Sequence, residues 1–390
     1  MSPLQPLDEG LLEEVVRHGV ELSKGSWEIG TLFQARLEYD HPGLTPFGNE
    51  KNLIPPRSLL DLPALVLHVA KDTLNARPTS DDFPAGKGQV LCRDDAAGDP
   101  ASLGIACLLF ALAEEGDVAS GGSERLVVRD VSMLQAVRLE AEFLEKDACR
   151  TEDGAISHRL KHLSLWADFV YMVPPFLAFL GLMSDDQDQQ TSYFQAAYDQ
   201  CRLYRQYLRR GDGLWKHIIM GPDKIDPWPW ATSNGWAAAG MLRVHATLQK
   251  ADQEMRSRFR SQLTDLGIWA LEIIKAAAEH VDSQGMVREY IDEPDFEGES
   301  CGTALLAYAA YRLAYLGISH EFVPFAERAR KAVHRNISPQ GLLEKVCDIV
   351  DERKWRERSA EGQAFVIMLE AAARDYVESL SSRNGIRTPE

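Results

Sequence analysis

Long apolar runs are missing from this 390-residue sequence, and no stretch reaches the roughly 20 residues that a membrane-spanning helix needs. The chain opens Met1-Ser-Pro-Leu-Gln-Pro-Leu-Asp-Glu-Gly10, which lacks both a basic start and an apolar core. A cytosolic protein without a secretory leader is therefore expected. Cysteine is sparse: six residues, at 92, 107, 149, 201, 301 and 347, lie far apart with no C-x-x-C pair. That spacing disfavours a disulfide or zinc framework and leaves reduced thiols at mostly apolar positions. Positive charge is also short, with 42 Lys and Arg against 59 Asp and Glu and a formal net charge of −17. The balance argues against nucleic acid and disfavours anionic membranes as partners, because both are held largely by cationic side chains. Low-complexity tracts are absent as well, and the 45% hydrophobic content is ample for a large core.

What the chain does have is helical periodicity. Apolar residues recur at three-to-four spacing in twelve segments, near 8–23, 26–38, 58–76, 100–115, 129–148, 163–182, 189–209, 231–249, 252–280, 299–317, 320–335 and 359–379. No strand-period run of comparable length competes. Short connections (183–188, 250–251, 318–319) contrast with long ones rich in Gly, Asp, Pro and Trp (77–99, 149–162, 210–230, 281–298, 336–358). Successive antiparallel helices put alternate connections at opposite ends, so the long ones share one end. The pattern predicts an all-α fold, an (α/α)6 barrel of six hairpins forming a single domain over 1–390, with loosely held ends at 1–7 and 381–390.

A repeat marks the end with the long connections. Gly154-Ala-Ile-Ser-His158, Gly213-Leu-Trp-Lys-His217, Gly285-Met-Val-Arg-Glu289 and Gly341-Leu-Leu-Glu-Lys345 each place a polar group four residues after a glycine, at spacings of 59, 72 and 56. Glycine there permits a left-handed turn. His158, His217, Glu289 and Lys345 are expected near one mouth, as ligand contacts or as solvated loop residues.

Several segments together resemble the unsaturated uronyl hydrolases of glycoside hydrolase families 105 and 88, the six-hairpin glycosidases. Leu165-Trp166-Ala167-Asp168-Phe169-Val170-Tyr171-Met172, followed by Pro174-Pro175-Phe176-Leu177-Ala178, resembles the W-x-D-x-x-x-M-x-x-P-F-L signature. Gly213-Leu-Trp-Lys-His217 is similar to G-L-x-x-H, and Trp230-Ala-Thr-Ser-Asn234-Gly235-Trp236 to W-x-R-G-N-G-W. Glu299-Ser-Cys-Gly-Thr303, Ser359-Ala-Glu-Gly362 and Trp27-Glu-Ile-Gly30 resemble further barrel motifs. One departure is Thr232 where the family has Arg, which removes part of its uronate-binding environment.

The resemblance implies hydration of the C4=C5 double bond of a 4,5-unsaturated uronyl end group. An acid protonates C4, water adds at C5, and the hemiketal opens to expel the glycosidic partner. The expected substrate is a short oligosaccharide, and no cofactor or metal is implied. Asp168 is the expected proton donor, on a helix in a row with Lys161, Leu165 and Met172, where partial burial would raise its pKa. Pro174 and Pro175 are expected to break or kink that helix. Asp99, before Pro100, is the expected second carboxylate and equally an ordinary N-cap, with Asp94 and Asp95 less well placed. His217 and His158 are expected sugar contacts. His158 and His162 have metal-ligand spacing but lack a recognisable third ligand. Of Trp166, Trp215, Trp228, Trp230 and Trp236, two are expected to stack on ligand; Met172 belongs to the same signature. Asn234 orients a hydroxyl or closes a turn. Arg356, in the cluster Arg353-Lys354-Trp355-Arg356-Glu357-Arg358, is a candidate cation to replace the missing Arg, or part of a solvated loop. Thr232 also leaves open a different glycoside, a non-hydrolytic reaction or a non-catalytic binding protein.

Overall fold

Segments that are apolar on every side become inner helices, and segments apolar on one side become outer ones. In the computed structural model, residues 5–49, 53, 55–78, 91–122, 124–128, 130–222, 224–347 and 354–383 are described. The outer helices are α1 (Glu9–Leu22), α3 (Ala64–Ala76), α5 (Met133–Glu142), α7 (Gln187–Leu208), α10 (Arg260–Ala278) and α12 (Val323–Arg335). The inner helices are α2 (Ser26–Asp40), α4 (Gly104–Ala119), α6 (Phe169–Leu182), α8 (Ala231–Gln249), α11 (Ser300–Tyr315) and α13 (Ala360–Arg383). A short α9 (Gln253–Arg258) precedes α10. From α4 to α13 each inner helix packs on the next; α2 packs on the turn Asp99–Leu103 that leads into α4, and α13 packs against α2, closing the ring. The fold is thus the expected (α/α)6 barrel. Strands are confined, among the described residues, to two-residue pairs in the connections, including β3 (Leu165–Trp166) with β4 (Ile218–Ile219) and β5 (Val346–Cys347) with β6 (Trp355–Arg356); β1 (Val127–Val128) pairs with β2 (Val131–Ser132). No described helix is long and apolar enough to cross a membrane.

The helices depart from the expected segments in four places, the first being 58–76, which begins as a 3-10 turn at Leu59–Asp61 and becomes α-helical only at Ala64. The segment expected over 163–182 begins as β3, and its helix starts only at Phe169, so Asp168 stands at the N-cap position rather than inside a helical row. The segment 252–280 is two helices, parted at Phe259, whose φ of −98° and ψ of 20° leave the helical region. Pro174 and Pro175 do not end α6; both lie inside it. Tertiary packing explains the last case: α8 presses on this stretch through Gly240, where a Cβ would sit 2.2 Å from the Val170 carbonyl oxygen. That carbonyl is the one whose helical donor Pro174 lacks. Residues 1–4 and 384–390, within the ends expected to be loose, lie outside the described residues, as does Arg353.

Opposite the long connections the barrel is closed by buried charge. Glu38, near the end of α2 and fully buried, bonds to Arg243 of α8, to Arg312 of α11 at 2.7 Å and to the Tyr308 hydroxyl at 3.0 Å. Arg312 continues to Asp375 of α13 at 2.7 Å and lies over the Phe47 ring, 4.0 Å from its centroid. Four of the six inner helices are tied at this one point. Replacing Glu38 with Gln leaves two buried guanidinium groups short of their counter-charge, a loss worth about 3–5 kcal/mol in comparable sites. Equilibrium unfolding in denaturant should show a loss of that size. A change no larger than the about 0.5 kcal/mol of an ordinary surface substitution would remove Glu38 from this role.

Candidate active site

The glycine repeat is first a backbone device. Gly154, Gly213, Gly285 and Gly341 have φ of 100°, 96°, 90° and 82°, in the left-handed region. Four residues on, the carbonyls of His158, His217, Glu289 and Lys345 accept from the amides of Ala97, Ala167, Ala231 and Ser300, at 2.6, 2.9, 2.7 and 2.9 Å. Those amides lie at or just before the entry to inner helices or, for Ala97, just before the turn into α4. Each long connection is therefore stitched to the start of an inner helix. The residue two after each glycine donates its amide to a side chain: Ile156 to Gln200, Trp215 to Asn234, Val287 to Thr303 and Leu343 to Gln363.

The side chains at the fourth position are unequal. His158 and His217 line a cavity of about 390 Å³ at this end of the barrel. Glu289 is buried outside its lining and Lys345 is exposed. Asp99, Asp168, Trp166, Met172, Trp230 and Trp236 also line the cavity, so eight of the expected site residues converge. Three do not. Trp215 is fully buried in the core. Asn234 is also fully buried, accepting from the Trp215 amide and donating to the carbonyls of Trp215 and Trp230, so it closes the turn. Arg356 is exposed on β6 and absent from the lining. Trp228 is 45% exposed and also stays out.

The two aspartates differ in charge. Burial pushes the Asp99 carboxyl well above the usual carboxylate range; Asp94 and Asp168 reinforce this, and Arg159 opposes it. Burial acts upward on Asp168 too, but contact with His217 and its positive charge outweigh it and hold the carboxyl below its ordinary value. The expectation that burial keeps Asp168 protonated is therefore corrected: it overlooked the imidazole 3.5 Å from Asp168 Oδ2. Two carboxyls with oppositely shifted affinities are the pattern of an acid and a base sharing one site.

His217 owes its charge to a group the sequence did not reveal. Its Nδ1 lies 2.9 Å from Asp226 Oδ2, which also accepts from the Tyr290 hydroxyl at 2.8 Å. Burial lowers the affinity of His217 for a proton, yet Asp168 on one side and Asp226 on the other raise its pKa to about 9. His158, 3.8 Å from Asp99 Oδ1, has no such sandwich; burial pushes it down to about 3, against the pull of Asp168, and it is neutral at physiological pH. Asp226 sits in Asp226-Pro-Trp-Pro-Trp230, a stretch with no motif to single it out. Trp27 and Glu361 also line the cavity. Both lay in barrel-like segments where no role attached to them. Arg159 and Lys224 complete the lining around Trp166, with Arg159 Cζ 5.0 Å and Lys224 Nζ 5.8 Å from its ring centroid. Among the described residues no three His, Cys, Asp or Glu side chains form a metal-holding group.

A closed helical ring thus carries two carboxyls, Asp99 and Asp168, in a cavity at the end where the inner helices begin. The sequence model of Glycosyl Hydrolase Family 88 matches residues 126–360, more than half of the chain, and the chain belongs to that family, as a glycoside hydrolase. Among solved structures it is similar to a possible member of glycoside hydrolase family 105 from Salmonella enterica serovar Paratyphi A, at 17% identity and TM-score 0.68, over 96% of this chain and 97% of that one. A possible family 105 member from Klebsiella pneumoniae gives 18% identity and TM-score 0.66, over 96% of both chains. A family 105 hydrolase from C. acetobutylicum gives 13% and 0.63, over 94% of this chain and 98% of that one. At such identities the likeness is one of fold. Comparison with curated proteins gives no match.

The histidine sandwich makes its own prediction. In Asp226→Asn one of the two charges that raise the His217 pKa is gone, so its titration midpoint, near 9 in the wild type, should fall by a unit or more. Imidazole resonances followed by NMR across pH 5–10, approximately the range over which histidine and its perturbed forms titrate, would read it. An unmoved midpoint would show that Asp226 does not set the charge.

Proposed function

We propose that this protein is a cytosolic, exo-acting hydrolase that removes a 4,5-unsaturated uronyl residue from short oligosaccharides by hydrating its C4=C5 bond. The observation that supports it most is the convergence of Asp99, Asp168 and two histidines of opposite charge state in one cavity. A cavity of about 390 Å³ at the end where the inner helices begin suits a chain end, not the middle of a polymer.

Hydration needs one proton given and one taken. Asp99, held protonated by burial, gives its proton to C4; Asp168, held ionised by His217, takes a proton from the water that adds at C5. Asp99 ends as carboxylate and Asp168 as acid. The new hemiketal then opens at the ring oxygen, and the hemiacetal left at C1 releases the glycosidic partner with its proton. This reverses the donor expected from the sequence, because the two environments load the proton on the other carboxyl. Trp166, Trp230 and Trp236 offer faces for the sugar ring.

Loss of the ultraviolet absorbance of the conjugated double bond, on incubation with unsaturated galacturonyl or glucuronyl disaccharides, should report turnover. Asp168→Asn and Asp99→Asn should each lower kcat by about 10²–10⁴ with unchanged circular dichroism. No absorbance loss with either sugar, or activity within a few-fold of wild type in both variants, would refute the reading.

A further inference from the structure

The cavity holds an arginine that makes no ion pair with any described carboxylate. Arg159 follows His158 directly, is half-buried and lines the cavity, and its guanidinium makes no hydrogen bond or ion pair among the described residues. Its one described partner is the Trp166 ring, 5.0 Å from Cζ. In a chain with a formal net charge of −17, a guanidinium with no carboxylate partner is unusual, since acidic side chains outnumber basic ones 59 to 42. Three buried arginines elsewhere do meet carboxylates: Arg243 and Arg312 share Glu38, and Arg330 pairs with Glu370 at 2.5 and 2.7 Å.

Other groups in the cavity are also without partners. Thr232 Oγ1 and Trp230 Nε1 are buried, and neither finds a hydrogen-bond partner among the described residues. Buried polar groups without partners cost free energy unless a ligand or water supplies the missing bond. The charge around the cavity is moreover one-sided. Arg159 and Lys224 flank Trp166, while the start of α13 contributes the carboxyl of Glu361, which burial pushes up to about 7. An anionic ligand group is drawn to the Trp166 side.

We propose that Arg159 receives the carboxylate of the uronyl end group beside Trp166, and so determines the specificity of the site for acidic sugars. This rests on the uronyl reading of the function. A planar guanidinium matches a carboxylate with two parallel N–H···O bonds, which a single ammonium cannot do. Binding there also serves the chemistry. Arg159 is the one group acting to lower the Asp99 proton affinity, and a carboxylate on it cancels that field. The ligand thereby helps keep the donor protonated. Thr232, where a longer side chain would reach into the same cavity, leaves room for this arrangement.

The test compares wild type, Arg159→Gln and Arg159→Lys on an unsaturated uronyl disaccharide and on its methyl ester. A charge-assisted bond of about 1.5–3 kcal/mol corresponds to about 10–150-fold, so Arg159→Gln should raise KM for the acid by that range. Arg159→Lys should recover part of the loss. For the neutral ester, KM should be the same in wild type and Arg159→Gln. Circular dichroism shows whether either variant is folded, and the lysine variant keeps the test open if the glutamine variant is not. Turnover of the acid by wild type with KM within about twofold in Arg159→Gln would overturn the carboxylate assignment and leave the reaction standing. An equal rise in KM for acid and ester would overturn it too, by showing a loss of shape in place of a loss of charge. No turnover of the acid by wild type would overturn the reaction itself, and this assignment with it.

Discussion

Glu38 decides which end of this barrel is open. A ring of inner helices has two mouths, and the lower one is filled by a fully buried carboxylate shared between two arginines on α8 and α11, extended to α13 through Asp375. Burying three or more charges carries a large desolvation penalty, and it is tolerable only when each charge is met on several sides. That requirement fixes the inner helices in register. The cavity lined by Asp99 and Asp168 lies at the other end, where the inner helices begin.

That end has an electrostatic character the floor does not. Inner helices present their N-termini to it: Asp168 at the cap of α6, Trp230 at the cap of α8, Glu299 at the cap of α11 and Glu361 in the first turn of α13. Helix N-termini favour negative charge, so carboxyl groups there are structurally natural and chemically available at once. What differentiates them is local. Glu299 spends its carboxylate on the amides of Cys301 and Gly302, at 2.7 and 2.6 Å. Asp168 meets instead the imidazole that Asp226 keeps charged, and Asp99 meets the neutral His158. Catalytic potential thus arises from which histidine stands opposite which carboxyl, and each histidine is set by what lies behind it.

The barrel was legible in the sequence because helical periodicity and the alternation of short and long connections are both local signals. His158 and His217 were legible from their spacing after a glycine, and Asp168 and Asp99 from the resemblance of their segments to family motifs. Asp226 and Tyr290 were not, since they join across 64 residues and no spacing rule connects them. The same blindness misled the reading of Asp168: burial is inferable from an apolar stripe, but an imidazole donated by a separate loop is not. Asn234 illustrates the reverse error. An amide in a ligand-like motif was serving the backbone of the neighbouring connection, and only its three hydrogen bonds distinguish the two roles. Arg356 looked like the missing cation because it lay in a basic run, whereas the fold places Arg159, outside any basic run, in the cavity together with Lys224.

The glycine repeat reconciles these outcomes. Its conserved feature within the chain is a left-handed turn and a carbonyl, four residues later, bonded to an amide at or near the start of an inner helix. Backbone atoms carry that bond, so the side chain at the same residue is left without a structural duty in the stitch. Geometry then aims it toward or away from the cavity according to the position of its connection around the ring. Where the ring carries Asp99 and Asp168, the residue is histidine; where it carries neither, it is a buried glutamate or an exposed lysine. A repeat needed for closure supplies four equivalent platforms, and the chemistry occupies the two that face the carboxyls.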